Sequence, residues 1–265
     1  MKVTFLGTGT SQGIPIIGCE CGACTSSDKL DKRLRVSVCV EVHGKNILID
    51  ISPDFRFQML RAGIQRIDAI LLTHEHRDHV GGLDDIRPLN FKYSMDMPVY
   101  AVYRVQKALR SAFSYIFETN YPGVPQVIFN TIEKNKSFRI GETKITPVEY
   151  LHAKLPVLGF RIGNFAYITD IKTIDDDQLE LLKGLDLLVL SALHHEPHYS
   201  HINLEEALNL SAKIAAKEAY LTHFSHYMGK TADVAPTLPK NVFMAYDELV
   251  LELTDPLPEN MPEIV

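Results

Sequence analysis

The sequence predicts an α/β (α+β) protein whose two β-sheets pack face to face with helices on the outer sides. Three observations carry that expectation. Short apolar runs of strand length recur in two series along the chain, helical patterns are interspersed with them, and residues able to bind metal gather where a strand-like run ends.

Residues 2–6, Lys2-Val3-Thr4-Phe5-Leu6, read as the opening strand. The next stretch, Gly7-Thr8-Gly9-Thr10-Ser11-Gln12-Gly13, invites a phosphate-loop reading because exposed amides cradle anions. It lacks both the Lys-Ser/Thr ending of a P-loop and the dinucleotide spacing, so we read it as a glycine-assisted loop packed near the metal-binding residues. Residues 36–42 alternate and 46–51 are apolar, giving two more strands with His43 in the exposed turn between them. Cys39, inside the first of these, reads as a small buried apolar residue without a function. Ser52-Pro53 supplies a cap and first-turn proline for a helix over 53–62, stopped by Gly63. Residues 67–72 read as a buried strand and 105–117 as a helix. The second half repeats the rhythm with strands at 143–150, 157–162, 165–169 and 186–190 and a helix over 204–217. The tail from Pro256-Leu257-Pro258 onward reads as a loosely attached terminus.

With 265 residues, 46% hydrophobic and 23% charged, the chain can bury a sizeable core and is read as one domain over 1–265, without repeats or low-complexity tracts. It opens directly on a strand, and no apolar run is long enough to cross a bilayer, so a cytoplasmic protein without a membrane role is expected. Unpaired thiols suit a reducing compartment. The net charge of −6 argues against extended nucleic-acid binding.

The run Thr73-His74-Glu75-His76-Arg77-Asp78-His79-Val80-Gly81-Gly82 carries most of the functional information. Three imidazoles and the Asp78 carboxylate stand within six residues on a strand-to-helix loop. Imidazole nitrogen and carboxylate oxygen suit zinc and its first-row neighbours, and the spacing fits two adjacent ions, His74 and His76 facing one and Asp78 and His79 the other.

With this His-x-His-x-Asp-His loop the chain resembles the metallo-β-lactamase superfamily of metal-dependent hydrolases, which implies an αββα sandwich. The resemblance implies three further ligands: His152 in Tyr150-Leu151-His152, Asp170 as a carboxylate bridging two ions, and His223 in Tyr220-Leu221-Thr222-His223. A second cluster, Gly18-Cys19-Glu20-Cys21-Gly22-Ala23-Cys24, offers three thiols, and His226 can complete a closed Cys3His set with Cys19, Cys21 and Cys24. Such a set is structural, and it would tie the N-terminal loop to the loop bearing His223. A disulfide or simple packing is the alternative.

The two clusters and the Thr222-His223-Phe224-Ser225-His226 run together look like the PhnP-type cyclic phosphodiesterases associated with phosphonate degradation. Those enzymes open a five-membered cyclic phosphate on ribose. The resemblance implies a hydrolase with two divalent ions, zinc or manganese, at the active site and one structural zinc, acting on small or cyclic phosphodiesters of the ribose 1,2-cyclic phosphate type. Paired ions would acidify water toward hydroxide for in-line attack at phosphorus. The candidate catalytic residues are Asp78, also a ligand, and His201, which matches the family's general acid; His194, His195 and His198 crowd the same loop. The expected partner is a small-molecule phosphodiester, and a homodimer is compatible with the sequence. Alternatives are a tRNA 3′-processing endonuclease, a carboxylic ester, thioester or β-lactam hydrolase, and a noncatalytic metal-binding relative. A redox diiron protein fits less well, because the superfamily's oxidoreductases place a glutamate where His76 stands.

Overall fold

The computed structural model describes residues 1–118 and 123–256. Among the described residues, fourteen strands form two seven-stranded mixed sheets. The first contains β1 (Lys2–Gly7), β2 (Ser37–Val42), β3 (Lys45–Ile49), β4 (Ala69–Leu71), β5 (Met97–Ala101), β6 (Val127–Thr131) and β14 (Val250–Glu252), in the order β14-β1-β2-β3-β4-β5-β6. The second contains β7 (Phe138–Ile140), β8 (Thr143–His152), β9 (Leu155–Ile162), β10 (Phe165–Ile168), β11 (Leu187–Ser191), β12 (Glu218–Thr222) and β13 (Val242–Met244), in the order β13-β12-β11-β10-β9-β8-β7. In each sheet four consecutive neighbours run parallel, β3 to β6 and β10 to β13, and the rest are antiparallel.

The period-2 pattern of the strands builds three apolar layers. Ile47, Ile49, Ala69 and Leu71 of the first sheet meet Phe165, Tyr167, Leu187 and Val189 of the second between the sheets. The intervening Leu48 and Ile70 face outward onto Phe55 and Met59 of the helix Phe55–Ala62. Ala166, Ile168, Leu188 and Leu190 face the opposite way, onto Leu204, Ala207 and Ile214 of the helix Leu204–Ile214. Each strand that is buried on both sides therefore reads as a continuous apolar run.

Several elements depart from the sequence expectation for local reasons. Pro53 stands in the turn before its helix, where Asp54 N–H donates to Ser52 Oγ, and the left-handed Gly63 ends that helix as anticipated. The helix expected over 105–117 is two, Tyr103–Ala112 and Ser114–Phe117, broken at the buried Phe113. Leu204–Ile214 starts at an Asn203–Glu206 capping box and stops at the left-handed Ala215, short of 217. β5 escaped notice because Pro98 argues against a strand, and β7, β13 and β14 have only three residues each. His43 does lie in the β2–β3 turn, but it is half-buried, with Nδ1 3.0 Å from Thr143 Oγ1 and Nε2 3.0 Å from the Pro256 carbonyl. Pro256 thus packs onto the body, and the tail from Leu257 lies outside the described residues. Cys39 is buried, as expected. No helix among the described residues is long and apolar enough to cross a membrane.

Candidate metal centres

The C-terminal ends of the parallel strands, together with the end of β8, deliver the candidate ligands to one edge of the sandwich. Asp50 follows β3, the His74–His79 loop follows β4, His152 closes β8, Asp170 follows β10, and His223 follows β12. The loop between β11 and the helix Leu204–Ile214 adds His194, His195, His198 and His201. Asp50, Asp170 and His223 all adopt left-handed backbone conformations, with φ of 62°, 58° and 61°. Non-glycine residues pay a strain cost there, which concentrates at sites whose side-chain aim matters.

Six of the seven expected ligands, all but His76, fall in groups whose ligand atoms lie close enough to share an ion, and the His76 ring adjoins those of His74 and His152. His79 Nε2 lies 3.3 Å from Asp78 Oδ2 and 3.2 Å from Asp170 Oδ2. His223 Nε2 lies 3.2 Å from Asp170 Oδ1 and 3.7 Å from Asp78 Oδ2. The rings of His74, His76 and His152 gather on the other side, with centroids 4.5 Å apart for His74–His76 and 5.2 Å for His76–His152. Asp170 stands between the two groups, within ligand range of His74 and His79 and also of His152 and His201.

Hydrogen bonds at the back of the site fix which imidazole nitrogens face it. Asp50, fully buried, accepts from Thr73 N–H at 2.9 Å and from Thr73 Oγ1. A carboxylate can only accept, so the 2.6 Å contact between Asp50 Oδ2 and His79 Nδ1 places a proton on Nδ1. Thr73 Oγ1 spends its own proton on Asp50 and therefore accepts from His74 Nδ1 at 3.0 Å. The Ser200 carbonyl accepts from His152 Nδ1 at 2.8 Å in the same way. Three imidazoles are thereby left with a lone pair on Nε2. The Nε2 atoms of His74 and His79 and both ring nitrogens of His223 are buried without a hydrogen-bond partner among the described residues.

Buried polar atoms without partners are costly, and this donor set of imidazoles and carboxylates is what divalent first-row metals coordinate. The residues therefore fit paired ions. The charges agree: although burial opposes it, His79 facing Asp78 holds that carboxyl far below its usual range, and His223 and His79 do the same for Asp170. Burial also works against charge on His79, yet Asp78, Asp170 and Asp50 raise its pKa well above the ordinary value.

His201 stacks on His223 at 5.2 Å and lies 4.4 Å from His152, with Nδ1 3.7 Å from Asp170 Oδ1. Burial pushes it down to about 3 against the opposing pull of Asp170. His198 is one ring further out, 5.2 Å from His201. His194 lies 5.8 Å from His198, and His195 Nε2 is occupied by the Met228 carbonyl at 3.0 Å. Of the four histidines on this loop, His201 alone joins a ligand-range group with the cluster.

The cysteine cluster is separate. His226 Nδ1 lies 3.2, 3.4 and 3.8 Å from the Sγ atoms of Cys19, Cys21 and Cys24, and all four ligand atoms are close enough to share one ion. None of the thiols is in a disulfide. The backbone N–H of Cys24 draws the Cys21 thiol down to about 6, while burial pushes Cys24 up to about 11. Three thiols and one imidazole in a closed set fit a structural zinc. The glycine-rich loop lies between this cluster and the edge site: Gly9 bridges to Arg35 and Phe224, and Thr10 N–H donates to the Phe224 carbonyl. Beneath it, the buried Arg33 stacks on Phe224 and donates to Thr8, the Ala245 carbonyl and Thr231.

Asp50, Thr73 and the Ser200 carbonyl escaped the sequence reading. The one available signal was that Asp50 closes the apolar run 47–49 much as Asp170 closes 165–168.

The model of a β-lactamase superfamily domain matches residues 45–224. An octanoyltransferase of Porphyromonas gingivalis is 40% identical over 252 residues, 94% of this chain and 51% of that protein, so the chain spans about half the length of this relative. A crystal structure of a diphosphatase from the PhnP family superposes with a TM-score of 0.88 and 41% identity, covering 95% of this chain and 97% of that one. The short form of human tRNase Z shares the fold, with a TM-score of 0.74 and 18% identity over 96% of this chain and 100% of that one. The order of the strands, the edge on which the histidines meet and these likenesses agree: the chain belongs to the metallo-β-lactamase superfamily of hydrolases and, within it, to the PhnP family.

Proposed function

We propose that the protein is a phosphodiesterase that hydrolyses small or cyclic phosphodiesters. The observation that carries the reading is the placement of Asp170 between two groups of imidazoles, with His201 Nδ1 3.7 Å from its carboxylate. Two divalent ions, zinc or manganese, would be held by His74, His76 and His152 on one side and Asp78, His79 and His223 on the other, with Asp170 shared. They would supply Lewis acidity toward the phosphoryl oxygens and a water acidified toward neutral pH.

The protein's own groups do the rest. Asp50 and the Ser200 carbonyl hold His79 and His152 as the tautomers whose Nε2 faces the cluster. The strained backbones at Asp170 and His223 fix the aim of both side chains. His201 is placed to give its proton to the leaving alkoxide, and the negative phosphate brought beside it works in the same direction as Asp170, toward the protonated form. The Cys19, Cys21, Cys24 and His226 set would hold a structural zinc that steadies the loop carrying His223.

The diphosphatase relative supports attack at phosphorus. The octanoyltransferase name belongs to a chain about twice this length. Acyl carriage on a thiol finds no free candidate here, because three cysteines share the His226 cluster and Cys39 is buried in the sheet. The test is turnover, by zinc- or manganese-loaded protein, of bis-nitrophenyl phosphate, nitrophenyl phosphate, ribose cyclic phosphate, inorganic diphosphate, a 3′-extended RNA and a nitrophenyl carboxylic ester. Preference for the diester and cyclic phosphate is expected. Cleavage of the RNA or the carboxylic ester alone would overturn the substrate class.

A further inference from the structure

His76 is the one exposed residue among the seven candidate ligands, and nothing among the described residues hydrogen-bonds its ring. Its two companions are fixed from behind, His74 by Thr73 Oγ1 and His152 by the Ser200 carbonyl. The aim of His76 must therefore come from its backbone. That backbone is extended, with φ of −62° and ψ of 146°, so successive side chains alternate in direction. His74 and His76 go to the site, and Glu75 between them goes to Arg104.

Strand order explains why an arginine waits there. β4 and β5 run parallel, so the loop leaving β4 and the helix Tyr103–Ala112 after β5 start at the same edge of the sheet. From the first turn of that helix, Arg104 Nη1 pairs with Glu75 Oε1, and Nη2 donates to the Pro156 carbonyl at 2.5 Å. Pro156 lies opposite Leu151 in the β8–β9 hairpin, beside the His152–Leu155 pair. One guanidinium thus joins the segment bearing His74 and His76 to the hairpin bearing His152. Glu75 Oε2 is buried without a hydrogen-bond partner among the described residues, so the carboxylate leans on Arg104. On the other side of His76, Arg77 lies 4.9 Å over the ring of the buried Phe113, at the far end of the same helix. The helix grips the loop on both sides of the least supported ligand.

We infer that Arg104, acting through Glu75, is a positioning residue for the ion that His74, His76 and His152 would hold. The inference rests on the paired-ion reading of the site. A planar fork suits the task, because it holds a carboxylate and a carbonyl in fixed directions at once. The sign of the effect separates aim from charge. By charge alone Arg104 repels a divalent cation, and its removal would tighten binding. Loss of aim weakens it.

Calorimetric titration with manganese reads the paired site apart from the cysteine set, because thiolates select zinc. Arg104→Ala and Glu75→Ala should each weaken one of the two binding steps about 10-fold, the low end for groups that orient metal ligands. The double variant should lose no more than Arg104→Ala alone, since both changes break one link. Glu75→Gln keeps the acceptor and should lose less than Glu75→Ala. Arg104→Lys keeps the charge but not the fork, so it should weaken the same step by a smaller factor, and it carries the test if an alanine variant fails to fold. Unchanged or tighter manganese binding in the Arg104 variants overturns the inference and leaves the paired site standing. Unchanged affinity with a higher KM for bis-nitrophenyl phosphate would make Arg104 a substrate-binding group and overturn it too. Failure of the unaltered protein to turn over any phosphodiester would overturn the hydrolytic reading alone, because the titration needs no substrate.

Discussion

Asp50→Asn isolates the contribution of a residue that touches neither expected ion. In the native arrangement Asp50 Oδ1 accepts from Thr73 N–H at 2.9 Å and Oδ2 from His79 Nδ1 at 2.6 Å. An amide of the same shape can satisfy only one of these donors. If its oxygen keeps Thr73, its NH2 meets His79 Nδ1, and the imidazole must move its proton to Nε2, the atom aimed at Asp78 and Asp170. If it flips, the NH2 collides with Thr73 N–H, and a fully buried backbone donor loses its partner. A hydrogen bond to a charged group contributes about 1.5–3 kcal/mol, and removing such a support from a metal-ligating imidazole costs about 10- to 100-fold in metal affinity or activity. The two scales agree, since a factor of 10 is about 1.4 kcal/mol. The assay is competition for zinc against a graded chelator, with turnover of bis-nitrophenyl phosphate at saturating metal. Retained fold with weaker affinity for the paired ions is expected. Unchanged affinity and unchanged turnover would refute the tautomer argument.

Three further outcomes follow from the same geometry. Asp170→Ala should abolish diester turnover while leaving the melting temperature of the metal-free protein nearly unchanged; residual activity close to normal would remove Asp170 from its shared position. His226→Ala should lower the melting temperature of the zinc-loaded protein and lower activity less than Asp170→Ala does, because metal binding at a closed site is folding free energy; an unaltered melting curve would mean that the cysteine set is closed by another group. His201→Ala should slow diesters with alkoxide leaving groups at least 100-fold more than those releasing nitrophenolate, within the ~10²–10⁴-fold range of general acid catalysis. Equal losses on both would deny His201 the proton transfer.

How much of this was legible in the sequence follows from the range of each signal. The His74–His79 loop and the Cys19–Cys24 cluster are local, so spacing alone exposed them. The strands bordering the inter-sheet core were readable because Ile47-Leu48-Ile49 and Leu187-Leu188-Val189-Leu190 bury both faces. β5 was hidden by Pro98, a residue whose lack of an N–H ordinarily marks an edge, here accommodated between β4 and β6. Asp50, Arg33 and the Ser200 carbonyl act through partners 29, 212 and 48 residues away in the chain, and no local pattern announces such pairings. His43 illustrates the converse: its turn was evident, but its bonds to Thr143 and Pro256 depend on β8 and the tail arriving beside it.

We propose that one chain holds two metal centres of different kind, a paired site at the sheet edge and a closed site at Cys19, Cys21, Cys24 and His226. Elemental analysis of the metal-loaded protein and of two variants tests it most directly. Three ions per chain are expected, with His226→Ala losing the single zinc and keeping the pair, and Asp170→Ala losing ions of the pair and keeping the single zinc. One ion in total, or the same loss from both variants, would contradict it.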